Sequence, residues 1–367
     1  MTVAAPGTAL ARPIFINGRF LGRPVTGVER FAGMLLREID GRADHDRHNW
    51  QVVAPRSVAR PAWLKHLAFT QVGRLGGHGW EQTELAWAAR NGTLVSLCNS
   101  GPVLHPRQLV VIHDALVYRY PENFAPRYVK THQFLGRLLA RRARLGTVSA
   151  FSQRELCEVL HLPDEAICII PNAADHGAAI TPDPTILHRL GLEGCSFLLF
   201  VGSPAQNKNL AAAVRAFLSL APTDAKLVIT GDAAKVFAGS GLGTLPDQVM
   251  TTGRLTDEEV WALYGGARAL VFPSLYEGFG IPPLEAMSLG CPVLAADIPP
   301  VREVCADAAL YFDPNAIADI AGAMRAALSG ELDVEAMRPA GESQARLFSW
   351  HASADRLIEA IDHLQAH

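Results

Sequence analysis

The stretch "ALVFPSLYEGFGIPPLEAMSLGCPVLAAD", residues 269–297, decides the fold. "ALVFPS" (269–274) is a short, continuously apolar run, the pattern of a strand buried on both faces. "PLEAMSLG" (283–290) reads as a helix, and Pro282 and Pro283 suit its first positions. "PVLAAD" (292–297) is a second buried strand. Strand, helix and strand in such close succession belong to a parallel sheet covered on both faces. "LYEGFGIP" is then the loop at a strand's carboxyl end, where doubly wound sheets bind their ligands.

Working outward, the same alternation continues. Toward the amino end lie strands "SFLLFVG" (196–202), "AKLVITG" (225–231) and "QVMTTG" (248–253), with helices at 209–220 and 256–267. Thr256 and Glu259 have the spacing of a capping box. A Pro/Asp-rich passage within 176–195 breaks the pattern. Before it comes a second series, with strands at 12–18, 50–55, 92–97, 108–114, 145–150 and 166–172 and helices at 27–39, 80–91 and 125–144. Two such runs around a linker predict two doubly wound domains facing a cleft.

The bulk composition agrees. The 367 residues are 49% hydrophobic and 19% charged, with a formal net charge of -3. A large core is available, disorder is disfavoured, and the charge balance carries no footprint for a nucleic-acid partner. The six cysteines form no CxxC pair and several lie in apolar runs, so they read as buried free thiols rather than disulfides or zinc ligands. The first residues lack a basic, apolar leader and no run of about eighteen apolar residues occurs. The expectation is a cytoplasmic protein.

Glu277 and Glu285 flank the loop at 277–285. Gly278 and Gly280 permit close backbone approach and positive φ, and the free amides at a helix start form an anion site. A carboxylate accepts two hydroxyl hydrogen bonds at once, as a sugar or ribose diol offers. Together these groups describe a pocket for a nucleotide sugar. The plainer alternative is a solvated Glu277 and a Glu285 that complements the helix dipole from the first turn.

"FPSLYEGFGIPPLEAMSLGCPVLAAD" resembles the E-x7-E signature of retaining GT-B glycosyltransferases of family 4. So do "LVVIHDALVYRYPENF" (109–124), "TVSAFSQREL" (147–156), "ICIIPNAAD" (167–175), "FVGSPAQNKNL" (200–210), "TGRLTDEEVWALYGGA" (252–267) and "FSWHASADRLIEAI" (348–361), in family order. The resemblance implies the GT-B architecture, with two Rossmann-like domains. The N-terminal, acceptor-binding domain covers 1–180, a linker 181–195, and the donor-binding domain 196–347. A closing helix in 348–367 would cross back to the first domain.

The resemblance also implies roles. Glu277 would contact the transferred sugar, Glu285 the ribose hydroxyls, and the Gly278, Phe279 and Gly280 amides the sugar and diphosphate. Lys208 would neutralise the diphosphate, His113 would line the sugar site, and Gly27 and Gly202 would border the phosphates. Arg254 reads as part of the base-side wall. Asn207 stands where the family usually carries Arg, so one leaving-group cation is missing, a group whose hydrogen bond contributes on the order of 1.5–3 kcal/mol. This departure keeps a nucleotide-sugar-binding protein without catalysis in view.

The expected reaction is retaining hexosyl transfer without a metal cofactor, to a glycan or lipid-linked acceptor. The "TGVERF" loop resembles that of mannosyltransferases and favours GDP-mannose as donor, with UDP-glucose or another NDP-sugar as the alternative. A GT-B epimerase is a further alternative that the E-x7-E loop does not favour. Asp44-His45-Asp46 lies in a charged loop and reads as solvated surface rather than a metal site. "GSGLG" (239–243) reads as a loop rather than a dinucleotide fingerprint. The basic segment 127–146, with Arg127, Lys130, Arg137, Arg141, Arg142 and Arg144, is either an ordinary surface helix or a peripheral contact with the inner face of the plasma membrane.

Overall fold

The computed structural model describes residues 12–42, 48–203, 205–220, 224–231 and 246–366. Asp44-His45-Asp46 and "GSGLG" lie outside the described residues.

Two parallel sheets form the frame. The first takes β1 (Ile14–Asn17), β2 (Trp50–Pro55), β3 (Ala68–Val72), β4 (Thr93–Ser96), β5 (Gln108–Val111), β6 (Arg144–Thr147) and β7 (Cys168–Ile169) in the order β3-β2-β1-β4-β5-β6-β7. The second takes β8 (Phe197–Phe200), β9 (Lys226–Ile229), β10 (Val249–Thr251), β11 (Ala269–Phe272), β12 (Val293–Ala296) and β13 (Leu310–Phe312) in the order β10-β9-β8-β11-β12-β13. Every pairing within the two sheets is parallel. The strand order reverses between β1 and β4 in one sheet and between β8 and β11 in the other. These reversals open the crevices in which such sheets bind ligands.

The central strands read as unbroken apolar runs because both faces are covered, and β1, β5, β8, β11 and β12 are buried throughout. One apolar cluster runs from Ile14, Leu35 and Val111 under the first sheet through Ala173, Trp350 and Trp261 to Leu199, Phe272 and Val293 under the second. The closing helix, Trp350–Ala366, packs on the Gly27–Gly41 helix and β5. It is tied down by Arg42 to Asp355 at 2.7 Å and by the Ser353 hydroxyl donating to Pro171 O at 2.8 Å.

Some local expectations are corrected. The basic segment is a helix only over Pro126–Ala140, and Arg144–Thr147 is strand β6. It is therefore no continuous surface helix through 146. Strand β3 has no counterpart in the sequence reading, because this edge strand is half-exposed and its apolar pattern is diluted. The helix expected at 80–91 runs over 77–88, with a π-helical turn at Glu81–Leu85. The Thr256/Glu259 capping box forms as expected. All six cysteines are free, and Cys157, Cys291 and Cys305 are buried. No helix among the described residues is long and apolar enough to cross a membrane.

Candidate active site in the cleft between the sheets

A cavity of about 630 Å³ lies where the carboxyl ends of the two sheets meet. Gly27, His113, Gly202, Lys208, Arg254, Glu277, Gly278, Phe279, Gly280 and Glu285 all line it. Asn207 does not. Its side-chain amide donates to Tyr276 O at 3.1 Å, and its carbonyl accepts from Leu275 N at 2.7 Å. Asn207 therefore splints the 275–280 loop and is no direct stand-in for a cavity cation.

The loop is gripped from both domains. Gly278 O accepts from the Ser149 hydroxyl at 2.6 Å and the Ser152 hydroxyl at 2.9 Å. A Cβ on Gly278 would meet His113 O at 2.5 Å, so only glycine allows this approach. Gly280 has φ of 119° and precedes the Ile281–Ser288 helix, a conformation in which a side chain is strained. That helix begins two residues earlier than the sequence reading placed it. Glu285 is thus in its second turn, and the plain dipole-complementing role falls away.

Lys208 and Glu277 form an ion pair of 2.6 Å inside the cavity. Asp114, three residues past β5, adds a third ionisable group beside them. Burial pushes its carboxyl above the ordinary range and the Glu277 charge adds to this, while Leu116 N and Lys208 pull the other way. His113 is almost fully buried, with Nε2 donating to Leu97 O at 2.9 Å and its backbone N donating to Asn99 Oδ1 at 2.8 Å. Burial pushes its pKa down to about 4, so the ring is neutral near pH 7. Nδ1 is then left as an acceptor.

At the other end Glu285 is 5% exposed and accepts from the Tyr264 hydroxyl at 3.1 Å. His176 Nε2 lies 3.6 Å and Arg30 Nε 3.9 Å from its second oxygen. Trp350 Nε1 donates to His176 Nδ1 at 3.2 Å. His176 Nε2 thus lies between the Glu285 carboxylate and the Arg30 guanidinium, whose Nη1 stands 3.4 Å from it. Arg30 itself grips Asp257 with two bonds, of 3.0 and 2.6 Å. Burial alone would lower its pKa, but Asp257 and Glu285 outweigh this and raise it. The Gly27–Gly41 helix receives no side-chain cap from Thr26, whose hydroxyl goes instead to Glu29. Thr26, Gly27, Val28 and Arg30 of this first turn line the cavity.

Sequence reasoning missed Asp114, Arg30, Tyr264, His176 and Asp257. Asp114 and Arg30 stand one and three residues from His113 and Gly27, which were singled out, so adjacency was a usable signal. Tyr264, His176 and Asp257 carried none, since only the packing of separate segments brings them to Glu285.

Comparison with known proteins follows this geometry. Residues 188–344 match the family model described as glycosyl transferases group 1. The chain is 28% identical over 267 residues to O-antigen chain mannosyltransferase B of Escherichia coli, covering 69% of this chain and 70% of that protein. It is 28% identical over 278 residues to the serotype-specific mannosyltransferase WbdA of Escherichia coli, covering 70% of this chain but only 34% of WbdA. It is 27% identical over 212 residues to O-antigen chain mannosyltransferase RfbU of Salmonella typhimurium, covering 57% of each. The chain thus spans less than two thirds of two of these three relatives. Among solved structures, sucrose-phosphate synthase of Thermosynechococcus elongatus superimposes with TM-score 0.70 at 17% identity, over 97% of this chain and 99% of that one. An Anabaena protein, HepE, solved with UDP and glucose, gives TM-score 0.73 at 17% identity, over 96% and 99%. These likenesses carry the GT-B fold.

Proposed function

We propose that this chain, whose residues 188–344 match the glycosyl transferases group 1 model, is a GT-B glycosyltransferase that transfers mannose from GDP-mannose, with retention and without a metal, to a growing surface polysaccharide. The names of the O-antigen mannosyltransferases to which it is similar favour mannose and this class of acceptor. The observation that carries the reading is the Lys208–Glu277 pair beside the Gly278–Gly280 amides, with the buried Glu285 at the cavity's other end.

In this reading the ribose diol bonds the Glu285 oxygen that Tyr264 leaves free. The diphosphate lies against Lys208 and the amides at Gly27, Gly202 and Gly278–Gly280. Negative charge grows on the leaving diphosphate as the anomeric C–O bond breaks, and preorganised donors at that position stabilise it. Lys208 exchanges part of its bond to Glu277 for the phosphate, which frees Glu277 to take sugar hydroxyls. The acceptor hydroxyl attacks the anomeric carbon on the face from which the diphosphate departs, and a phosphate oxygen accepts its proton. The neutral His113 suits this step, because it adds no positive charge beside a carbon already becoming cationic. Arg254, exposed at the rim, is the one other arginine lining the cavity among the described residues besides Arg30, which Asp257 and Glu285 engage.

A second reading, nucleotide-sugar binding without transfer, is favoured by Asn207. Thermal shifts with GDP-mannose, UDP-glucose, GDP and UDP, on wild type and Glu285→Ala, come first. A ligand at a hundredfold excess over Kd stabilises by about 2.7 kcal/mol. A guanine-specific shift that Glu285→Ala removes supports the donor. Release of GDP with an α-linked product, unchanged in EDTA, supports transfer, retention and metal independence; a shift without turnover on any glycan supports the second reading. Peripheral membrane contact through the Pro126–Ala140 helix, whose Phe134 is 62% exposed beside Lys130 and Arg137, would show as flotation with anionic vesicles.

A further inference from the structure

One buried aromatic ring sits at the seam between the two halves rather than in a core. Tyr276 is 6% exposed, yet among the described residues it belongs to none of the buried apolar clusters. Its ring meets Tyr120 and Phe151 at their edges, with centroids 5.4 and 5.6 Å away and interplanar angles of 63° and 62°, the tilted geometry that aromatic quadrupoles prefer. Its hydroxyl accepts from Ala115 N at 3.3 Å. All three partners belong to the half built on the first sheet, whereas Tyr276 follows β11 in the other half. A groove of about 430 Å³ runs beside the ring, lined by Tyr120, Phe151, Leu275, Pro299 and Pro300 among others.

Two adjacent residue pairs tie this ring to the candidate site. Asn207 Nδ2 donates to Tyr276 O at 3.1 Å, and the residue after Asn207, Lys208, donates to the residue after Tyr276, Glu277, at 2.6 Å. Leu275 N closes the first rung by donating to Asn207 O at 2.7 Å. On the far side of Glu277, Gly278 O accepts from the Ser149 and Ser152 hydroxyls. Glu277 is therefore carried between two residues that the opposite half holds, one by an aromatic socket and one by two hydroxyls. The socket is itself fixed from across the seam, since Glu303 accepts from Phe151 N at 2.9 Å.

The ring outweighs the hydroxyl in this seat. The Ala115 bond, at 3.3 Å, is beyond the ordinary range for N–H donors. The two aromatic contacts each add to the area that the ring buries. A ring that only filled space at the seam would need neither the Asn207 rung behind it nor Glu277 next to it.

We infer that Tyr276 is a positioning residue for Glu277: seated in the Tyr120–Phe151 socket of the opposite half, it sets the place of the carboxylate that faces the donor sugar and couples the docking of the two halves to turnover. The inference rests on the transfer reaction proposed above and goes beyond it in naming what holds Glu277 in its working position.

GDP release from GDP-mannose, with methyl α-D-mannopyranoside as acceptor, tests it beside GDP titrations and melting curves on the full chain. Tyr276→Phe keeps the ring in its socket and should retain kcat to within about tenfold, since it loses one long hydrogen bond. Tyr276→Ala empties the socket and should lower kcat by about a hundredfold, the cost of a misplacement of about 1 Å. The GDP Kd should stay close to the wild-type value, because Glu285 lies at the other end of the cavity. A melting temperature that falls in Tyr276→Ala while kcat stays as in Tyr276→Phe would overturn the inference, and so would a GDP Kd that rises in step with the fall in kcat. Hydrogen exchange on Phe151→Ala gives a reading that depends neither on turnover nor on the folding of Tyr276→Ala. This substitution takes one side off the socket and leaves the 275–280 loop unaltered. It should accelerate amide exchange in the peptide 273–280 of the opposite half; unchanged exchange there would overturn the inference. Accelerated exchange in a chain whose wild type releases no GDP would sink the transfer reading and uphold the seat of Tyr276.

Discussion

Three residues carry separable chemistry. Lys208 is the one lysine lining the cleft cavity among the described residues, and removing one preorganised charge of this kind costs on the order of 10²–10³ in rate. We predict that Lys208→Ala lowers kcat by about that factor and that Glu277, left without its partner, loses position as well. A GDP-release assay checks this, and a loss below tenfold would contradict the assignment. His113 is held neutral with a pKa of about 4 against an ordinary value of 6.5. Its folded pKa is depressed, so its contribution to stability is complete above pH 6.5 and is lost as the pH falls from there through about 4. The full loss is about 3 kcal/mol at 1.36 kcal/mol per unit. Urea denaturation at pH 7.5 and pH 4.5 should show a smaller drop in His113→Gln than in wild type; equal drops would contradict it. Gly278 reports the meeting of the domains. Gly278→Ala puts a methyl 2.5 Å from His113 O, so the loop must withdraw and kcat should fall well beyond any loss of stability, as parallel activity and unfolding measurements would register.

At the scale of elements, the 269–297 segment shows what local pattern encodes. The two buried strands, the proline-opened helix and the loop between them were all legible, because each follows from a short-range rule about apolar runs, fixed φ and glycine. The position of Glu285 was not. A shift of two residues in the helix start moved it from the first turn into a buried network with Tyr264 and His176. The Ala150–Leu160 helix makes a similar point. Ser149 caps it locally, but Glu303, from the other domain, accepts from Ala150 N at 2.7 Å and Phe151 N at 2.9 Å. A cap of this kind contributes about 1 kcal/mol. Glu303→Ala should accelerate amide exchange in that helix's first turn and shift the chain toward a more open form, seen as a larger radius of gyration in solution scattering. An unchanged radius and unchanged exchange would show that the cap does not hold the domains together.

At the scale of the molecule, Trp350 ties the two halves to the site. It is 3% exposed, shares one apolar cluster with Phe31 and Trp261, and donates to the histidine that faces Glu285. Trp350→Phe keeps most of the packing and removes the donation. We predict a modest stability loss, of about 1 kcal/mol, with a larger effect on GDP affinity than Trp261→Phe would have; a GDP titration and a denaturation curve on each variant decide it. The sequence by itself determined the alternation of strands and helices, the two-sheet class, the E-x7-E loop and several of the residues around the cleft cavity, because these depend on spacing along the chain and on apolar periodicity. Only the tertiary structure decided that Asn207 splints the loop, that Arg30, Tyr264 and His176 gather at Glu285, and that Tyr276 is seated against Tyr120 and Phe151 of the opposite half. The contacts at Glu285 join residues from 21 to 255 positions apart, and no periodicity along a chain records which distant side chains will share a dielectric and a hydrogen bond.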